Sequence, residues 1–152
     1  GSSCFFARTY APITTLKDYA PEMELLAMNT ANLKSSQTME LVSAWFTKYG
    51  QDLEGLILPG DGFSLTGALD AVESAGREDI TIVAAGSSET GLQAVKDGDV
   101  LGITYQTAEG DGALACFTAA QWLNGKDVPP VRYLPKEVIT KNEVEEYLPA
   151  QW

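Results

Sequence analysis
Three times in this chain a short, near-continuous apolar run stops at a loop of glycine, serine, threonine or aspartate, and an amphipathic helical pattern follows. "LEGLILP" leads into "GDGFSLTGALDAVESAG", "DITIVAAG" into "SSETGLQAVKDG", and "DVLGITYQ" into "TAEGDGALACFTAAQWLNG". Strands that are apolar along their length are buried on both faces, and strands that alternate with helices run parallel through right-handed crossovers. The expected fold class is therefore α/β: a doubly wound parallel sheet covered by helices on both faces. With 152 residues and 45% hydrophobic content, one such domain can bury a substantial core.

The remaining elements follow from the same periodicities. Phe5, Phe6, Tyr10, Ile13 and Leu16 give helical spacing over residues 5–19, with Pro12 as a kink point. Two adjacent phenylalanines cannot share one helix face, so one is assigned to the core and the other to a partly exposed or pocket-wall position. "MELLAM", residues 23–28, predicts a strand. Met39, Leu41, Val42, Trp45, Phe46 and Tyr49 predict a helix entered from Ser35 and Ser36 and ended by Gly50. Strands are then expected at 53–59, 79–86 and 99–106, and helices at 63–75, from Ser87 or Ser88 onward, and at 109–125. "VPPVRYLPKEVIT" reads as extended pieces without obvious partners, and residues 141–148 as a last short helix whose Glu143, Glu145 and Glu146 face solvent. Trp45 and Trp122 fit helix core faces, and Trp152 a terminal tail. A doubly wound sheet ordinarily starts with a central strand, whereas this chain opens on a helix, so a strand is expected ahead of Gly1.

Charge and residue usage exclude several function classes. With 21 acidic against 10 basic residues the net charge is −11, which opposes phosphate backbones and anionic lipid, so no nucleic-acid partner is expected. No apolar run approaches the roughly 18 residues of a membrane span, and residues 1–9 lack a signal-peptide pattern, so the chain is expected to be soluble and, if exported, already processed. The sequence contains no histidine, which removes the usual general base, the Ser-His-Asp and Cys-His constellations and the commonest transition-metal ligand. Cys4 and Cys116 have no metal-ligand spacing and read as two buried free thiols. Neither a catalytic residue nor a cofactor or metal is expected.

In open α/β sheets ligands bind beyond the carboxyl ends of the strands. The loops that fall there are "NTANL", "PGDGF", "GSSET" and "QTAEGDG", with "GSSCFF" as a fifth if a strand precedes it. "PGDGFSLTG" is not a phosphate loop: it has no Gly-Lys-Ser/Thr ending, Leu65 stands where a third glycine belongs, and Asp61 repels phosphate. Two readings of Asp61 remain: it caps the following helix, or it accepts hydrogen bonds from a neutral polyol or a cation while Phe63 packs on the ligand's apolar face. Ser87 and Ser88 match helix N-cap chemistry, with no His or Lys nearby to activate either as a nucleophile. Gln106 is a turn residue or, as an amide at a strand end, both donates to and accepts from a ligand hydroxyl pair. Arg8 is one of three arginines, suited to carboxylates or vicinal hydroxyls and equally to a surface ion pair.

The order and spacing of "ALDAVESAGREDITIVAAG", "LQAVKDGDVLGITYQ" and "AAQWLNGKDVPP" resemble the C-terminal half of the type I periplasmic sugar-binding proteins, the ribose-binding-like receptors of ABC transporters. The resemblance covers nearly the whole chain. It implies a two-lobed protein with a three-stranded hinge that closes on a small polar ligand and delivers it to a membrane permease. Residues 1–106 then form most of the second lobe without its first strand, and residues 107–152 the crossover helix, extended hinge segments and terminal helix. The partners it implies are a sugar, polyol or similar ligand, the missing N-terminal lobe and the permease; the location is periplasmic or extracytoplasmic, with a lipid anchor as an option. In the family the helix at 109–125 packs in the first lobe, so its apolar surface here is expected to be exposed and to favour self-association. The implied ligand contacts are Phe6, Arg8, Asp61, Phe63, Ser87 and Gln106. Gln106 matches the hinge-side pocket glutamine. Gly60 replaces the asparagine of the family's Asn-Asp pair in a loop one residue longer, Gly86 replaces the aspartate of "Gly-Phe-Asp-Gly", and Arg8 lies two residues beyond the pocket arginine. The alternatives are an effector domain of a LacI-like transcription regulator, without its helix-turn-helix here, and a flavodoxin-like small α/β enzyme.

Overall fold
The computed structural model describes residues 3–152. Gly1 and Ser2, the start of the expected first loop, lie outside the described residues. The elements in chain order are α1 (Ser3–Tyr19), α2 (Ser35–Tyr49), β1 (Gly55–Leu58), α3 (Phe63–Ala75), β2 (Thr81–Ala85), α4 (Glu89–Asp97), β3 (Gly102–Thr104), α5 (Ala108–Leu123) and β4 (Val138–Thr140), with single 3-10 turns at Gly50–Asp52 and Val144–Tyr147. The sheet order is β1-β2-β3-β4. The first three strands are parallel, with Leu56 beside Ile82 and Ala84 beside Ile103, and β4 joins antiparallel with Ile139 beside Ile103. All three parallel strands therefore deliver their following loops to one edge of the sheet.

The core lies on one face of this sheet. Leu56, Leu58, Ile82 and Ala84 point into it and meet Val42 and Phe46 of α2, Leu65, Ala68 and Ala71 of α3, and Leu92 and Val95 of α4. The other face of β1 and β2 carries Gly55, Ile57 and Thr81, which are exposed. The alternation of buried and open positions along β1 shows which side the helices cover. Helices α2 and α3 cross closely because Gly67 has no side chain: a Cβ there would lie 2.1 Å from the Ser35 carbonyl oxygen.

At the opposite end of the sheet from the parallel strand tips, Arg77 ties three segments together. Its Nε and Nη2 fork onto the Asp79 carboxylate at 2.8 and 2.9 Å, while Nη1 and Nη2 also donate to the carbonyls of Gly50 and Leu53 at 2.6 and 2.8 Å. The guanidinium lies 5.1 Å from the Phe46 ring centroid. The side-chain hydrogen bond from Arg77 holds the Asp79 carboxyl below the usual carboxylate range, and the same bond raises Arg77.

Several expectations change. Residues 23–28 form no ladder: Met23, Leu25 and Met28 are exposed, and the segment is held through Leu26, whose carbonyl accepts from the Tyr49 hydroxyl at 2.7 Å. An apolar run becomes a strand only where a neighbouring strand offers its backbone groups, and β1, the edge of the sheet on that side, pairs only with β2. Part of the "extended" tail does find a partner, β3, which caps the parallel sheet with an antiparallel edge. The last helix shrinks to a turn and the 3-10 segment Val144–Tyr147, anchored by buried Val144. Phe5 and Phe6 are both exposed and pack on each other and on Tyr10, and Trp122 is exposed, because no residue of α1 or α5 is buried. Cys4 and Cys116 are free but exposed, since both sit on these two helices.

Two outcomes test this account. Gly67→Ala should cost about 1–3 kcal/mol in denaturant unfolding, because the added methyl meets backbone that cannot rotate away. Because the folded-state pKa of Asp79 is depressed, its contribution is present above the unfolded carboxylate pKa of about 3.9 and is lost as pH falls through the folded value. Asp79→Asn should therefore be less stable than the parent at neutral pH and show a shallower loss of stability below about pH 4.

Candidate functional site
The carboxyl ends of β1, β2 and β3 open into residues 59–62, 86–88 and 105–107. These loops are joined by side chains rather than by ladder hydrogen bonds. Ser87, buried, uses its hydroxyl twice: Oγ donates to the Gln106 carbonyl and accepts from the Gln106 amide, both at 3.0 Å. The Thr104 hydroxyl accepts from Gly86 N–H at 3.1 Å. Ser87 thus fixes the backbone of residue 106 while leaving its side chain free to act elsewhere.

Arg8 reaches across this edge from α1. Its Nη1 donates to the Pro59 carbonyl at 2.8 Å and its Nη2 to Gln106 Oε1 at 2.9 Å. One guanidinium therefore spans the tips of β1 and β3, above the β2 loop that holds Ser87. The structure brings together Arg8, Ser87 and Gln106 of the six expected residues. Phe6, on the same helix, is exposed and stacks on Tyr10 with centroids 5.9 Å apart. Phe63 opens α3 and is 68% exposed.

Asp61 is oriented otherwise. It is only 2% exposed, and it does not cap α3, whose N-cap is Gly62 with no side-chain cap bond. Its carboxylate turns instead into the neighbouring loop, where Oδ2 accepts from Ser88 N–H at 2.6 Å, and its own N–H donates to the Ala85 carbonyl at 3.1 Å. A Cβ at Gly86 or at Gly91 would lie 2.2 Å from an Asp61 carboxylate oxygen. The glycine at 86 has φ +125°, a conformation open to glycine alone in practice. Ser88 completes the arrangement as N-cap of α4, accepting from Gly91 N–H at 3.3 Å. The expected Ser87-or-Ser88 cap is thus Ser88, and Asp61 adds an anion to Glu89 at the start of α4.

The contribution of the chain's last residues was not visible in the sequence. Gln151 Oε1 accepts from the Thr107 hydroxyl at 3.2 Å and from Glu109 N–H at 3.3 Å, and the Trp152 indole N–H donates to the Gln106 carbonyl at 3.3 Å. "LPAQW" carries no periodicity and no motif, so nothing in it marked a contact with the loop after β3. The enclosed space beside this tail, about 140 Å³ among Ser87, Leu92, Tyr105, Tyr147 and Gln151, is smaller than the roughly 300 Å³ at which small-molecule pockets begin. Arg8 and Gln106 lie outside this space, on the open rim of the strand tips. Among the described residues no group of three or more His, Cys, Asp or Glu is placed to hold a metal ion.

The family model for the periplasmic binding protein domain matches residues 7–127. The chain belongs to the periplasmic binding protein family. It is 33% identical over 127 residues to the xylitol-binding protein of Mycolicibacterium smegmatis, covering 82% of this chain and 36% of that protein. Its fold matches an ABC transporter solute-binding protein of Bacillus halodurans with bound myo-inositol, at TM-score 0.78 and 27% identity, over 91% of this chain and 47% of the other. It also matches a periplasmic solute-binding protein of Actinobacillus succinogenes with bound D-allose, at TM-score 0.79 and 21% identity, over 88% and 47% of the two chains. The chain spans half or less of the length of these relatives. Membership bears out the α/β assignment and the resemblance drawn from the sequence.

The Asp61 contacts have a measurable consequence. Asp61→Ala leaves Ser88 N–H without its charged acceptor and empties the space between Gly86 and Gly91. It should cost about 1.5–3 kcal/mol in global stability and accelerate amide exchange at Ser88.

Proposed function
We propose that this chain is most of the C-terminal lobe of a two-lobed, exported solute receptor of an ABC-type uptake system, and that it captures a neutral polyhydroxylated ligand without covalent chemistry. The observation that carries the proposal is the Arg8–Gln106 pair held across the strand tips. A planar guanidinium and a primary amide together present donors and an acceptor at the spacing of neighbouring hydroxyl groups. Phe6 and Phe63, both exposed, supply the apolar surface on which the C–H face of such a ligand rests. The relatives named for xylitol and solved with myo-inositol support a polyol or cyclitol as the ligand class.

The same proposal accounts for the open edge of the sheet. A doubly wound sheet places its first strand centrally, with the second on its outer side. A strand preceding α1 would then lie between β1 and residues 23–28, satisfying both, and the first lobe would cover the exposed face of α5. Residues 105–107 and the segment before β4 become hinge crossings. Asp61 serves this lobe as a structural anion rather than as a ligand contact, which leaves Arg8, Gln106, Phe6 and Phe63 as the contacting side chains and Ser87 as their support.

Calorimetric titration of the intact receptor carrying this lobe, with xylitol and with myo-inositol, tests the assignment. At least one should bind with 1:1 stoichiometry, and Arg8→Ala and Gln106→Ala should each weaken it tenfold or more while leaving the melting temperature within a few degrees of the parent. Unchanged affinity in both variants would remove the site from the strand tips.

A further inference from the structure
We infer that the tail at residues 149–152 sets the position of Gln106, with Gln151 and Trp152 acting as positioning residues for the ligand site; the inference rests on the capture function proposed above. In the loop after β3, Tyr105 N–H donates to the Glu137 carbonyl at 2.9 Å and Thr107 caps α5, while the main chain of Gln106 between them is held by side chains from outside the loop. β3 ends at Thr104, α5 begins at Ala108, and no residue of α5 is buried, so the body of that helix does not hold the loop. Ser87 grips residue 106 from one side through a single hydroxyl. From the other side the tail makes three contacts in the same four-residue stretch: the Trp152 indole to the Gln106 carbonyl, and Gln151 Oε1 to the Thr107 hydroxyl and the Glu109 amide.

The tail is itself fixed independently of that loop. Glu89 N–H, at the first turn of α4, donates to the Trp152 carbonyl at 2.9 Å. Leu148 and Ala150 pack against the core. Its anchor is therefore the α4 end of the lobe, and its grip is on the loop that carries Gln106. Trp152 is 51% exposed, so apolar burial does not account for its placement; the indole N–H and the main-chain carbonyl do. The consequence is that the Gln106 backbone is held between two hydroxyl-or-indole contacts of opposite origin, and its amide is presented to Arg8 at a fixed height above the strand tips.

The test separates this role from general stability and from the capture function. Trp152→Phe keeps the ring and removes the donor; Gln151→Ala removes the acceptor, and Gln151→Glu restores one. Amide hydrogen exchange at Gln106 and Glu109, read in the ligand-free receptor, should quicken in Trp152→Phe and Gln151→Ala while exchange within β2 and the melting temperature stay unchanged. Affinity for whichever of xylitol and myo-inositol the parent binds should fall about three- to tenfold in both variants and return towards the parent in Gln151→Glu. Unchanged exchange overturns the inference, and so does quickened exchange with full affinity. A parent that binds neither compound overturns the capture function and takes the positioning role with it, whatever the exchange result.

Discussion

The carboxylate of Asp61 fills the space that side chains at positions 86 and 91 would occupy, and the arrangement of the strand tips depends on this contact. It joins the loop after β1 to the start of α4, because one oxygen takes the Ser88 amide while the Asp61 backbone takes the Ala85 carbonyl. Once residues 86–88 are fixed, the Ser87 hydroxyl is fixed, and with it the backbone of Gln106. The site is thus built in sequence from a buried anion outward, and each step uses a group whose alternative partner would be water. A buried carboxylate is tolerated here because it faces an amide at a helix start, where negative charge is favoured.

The strands of the parallel sheet were legible from the sequence because each is apolar without interruption and ends at a glycine- or serine-bearing loop. The helices α2, α3 and α4 were legible from their spacing and their glycine stops, Gly50, Gly76 and Gly98, all at positive φ. What was not legible depends on partners distant in the chain. Residues 23–28 have the composition of a strand, but composition does not supply a neighbouring ladder. One of Phe5 and Phe6 was assigned to the core, and Trp122 to a helix core face, but all three are exposed. Asp61 was read either as the cap of α3 or as a ligand contact; that its carboxylate serves the start of α4 instead follows from the register of β1 against β2, which no local pattern encodes. Arg8 and Gln106 were picked out separately, and only the crossing of α1 over the strand tips makes them a pair.

The distribution of polarity fits a lobe rather than a self-contained domain. α1 and α5 bury no side chain, and Phe117, Trp122 and Leu123 of α5 are exposed together with Ile57 on the open sheet face. A net charge of −11 opposes indiscriminate association of such exposed apolar side chains by mutual repulsion. In the proposed receptor these faces are covered by the same polypeptide.

The Arg8–Gln106 hydrogen bond also bears on how a ligand would be selected. Two of the guanidinium's donors are engaged by Pro59 and Gln106, and the Gln106 acceptor is engaged by Arg8. A ligand that separates the pair must replace the bond on both sides, offering an acceptor to the guanidinium and a donor to the amide oxygen. Adjacent hydroxyls do this, since each hydroxyl both donates and accepts. A ligand with one hydroxyl missing leaves either the arginine or the amide unpaired in a closing cleft, and that loss costs more than the bond it forfeits. In the proposed receptor, discrimination between polyols would reside less in the number of contacts than in whether the intramolecular pair can be replaced completely, which would require the fixed separation inferred for Ser87 on one side and the tail on the other.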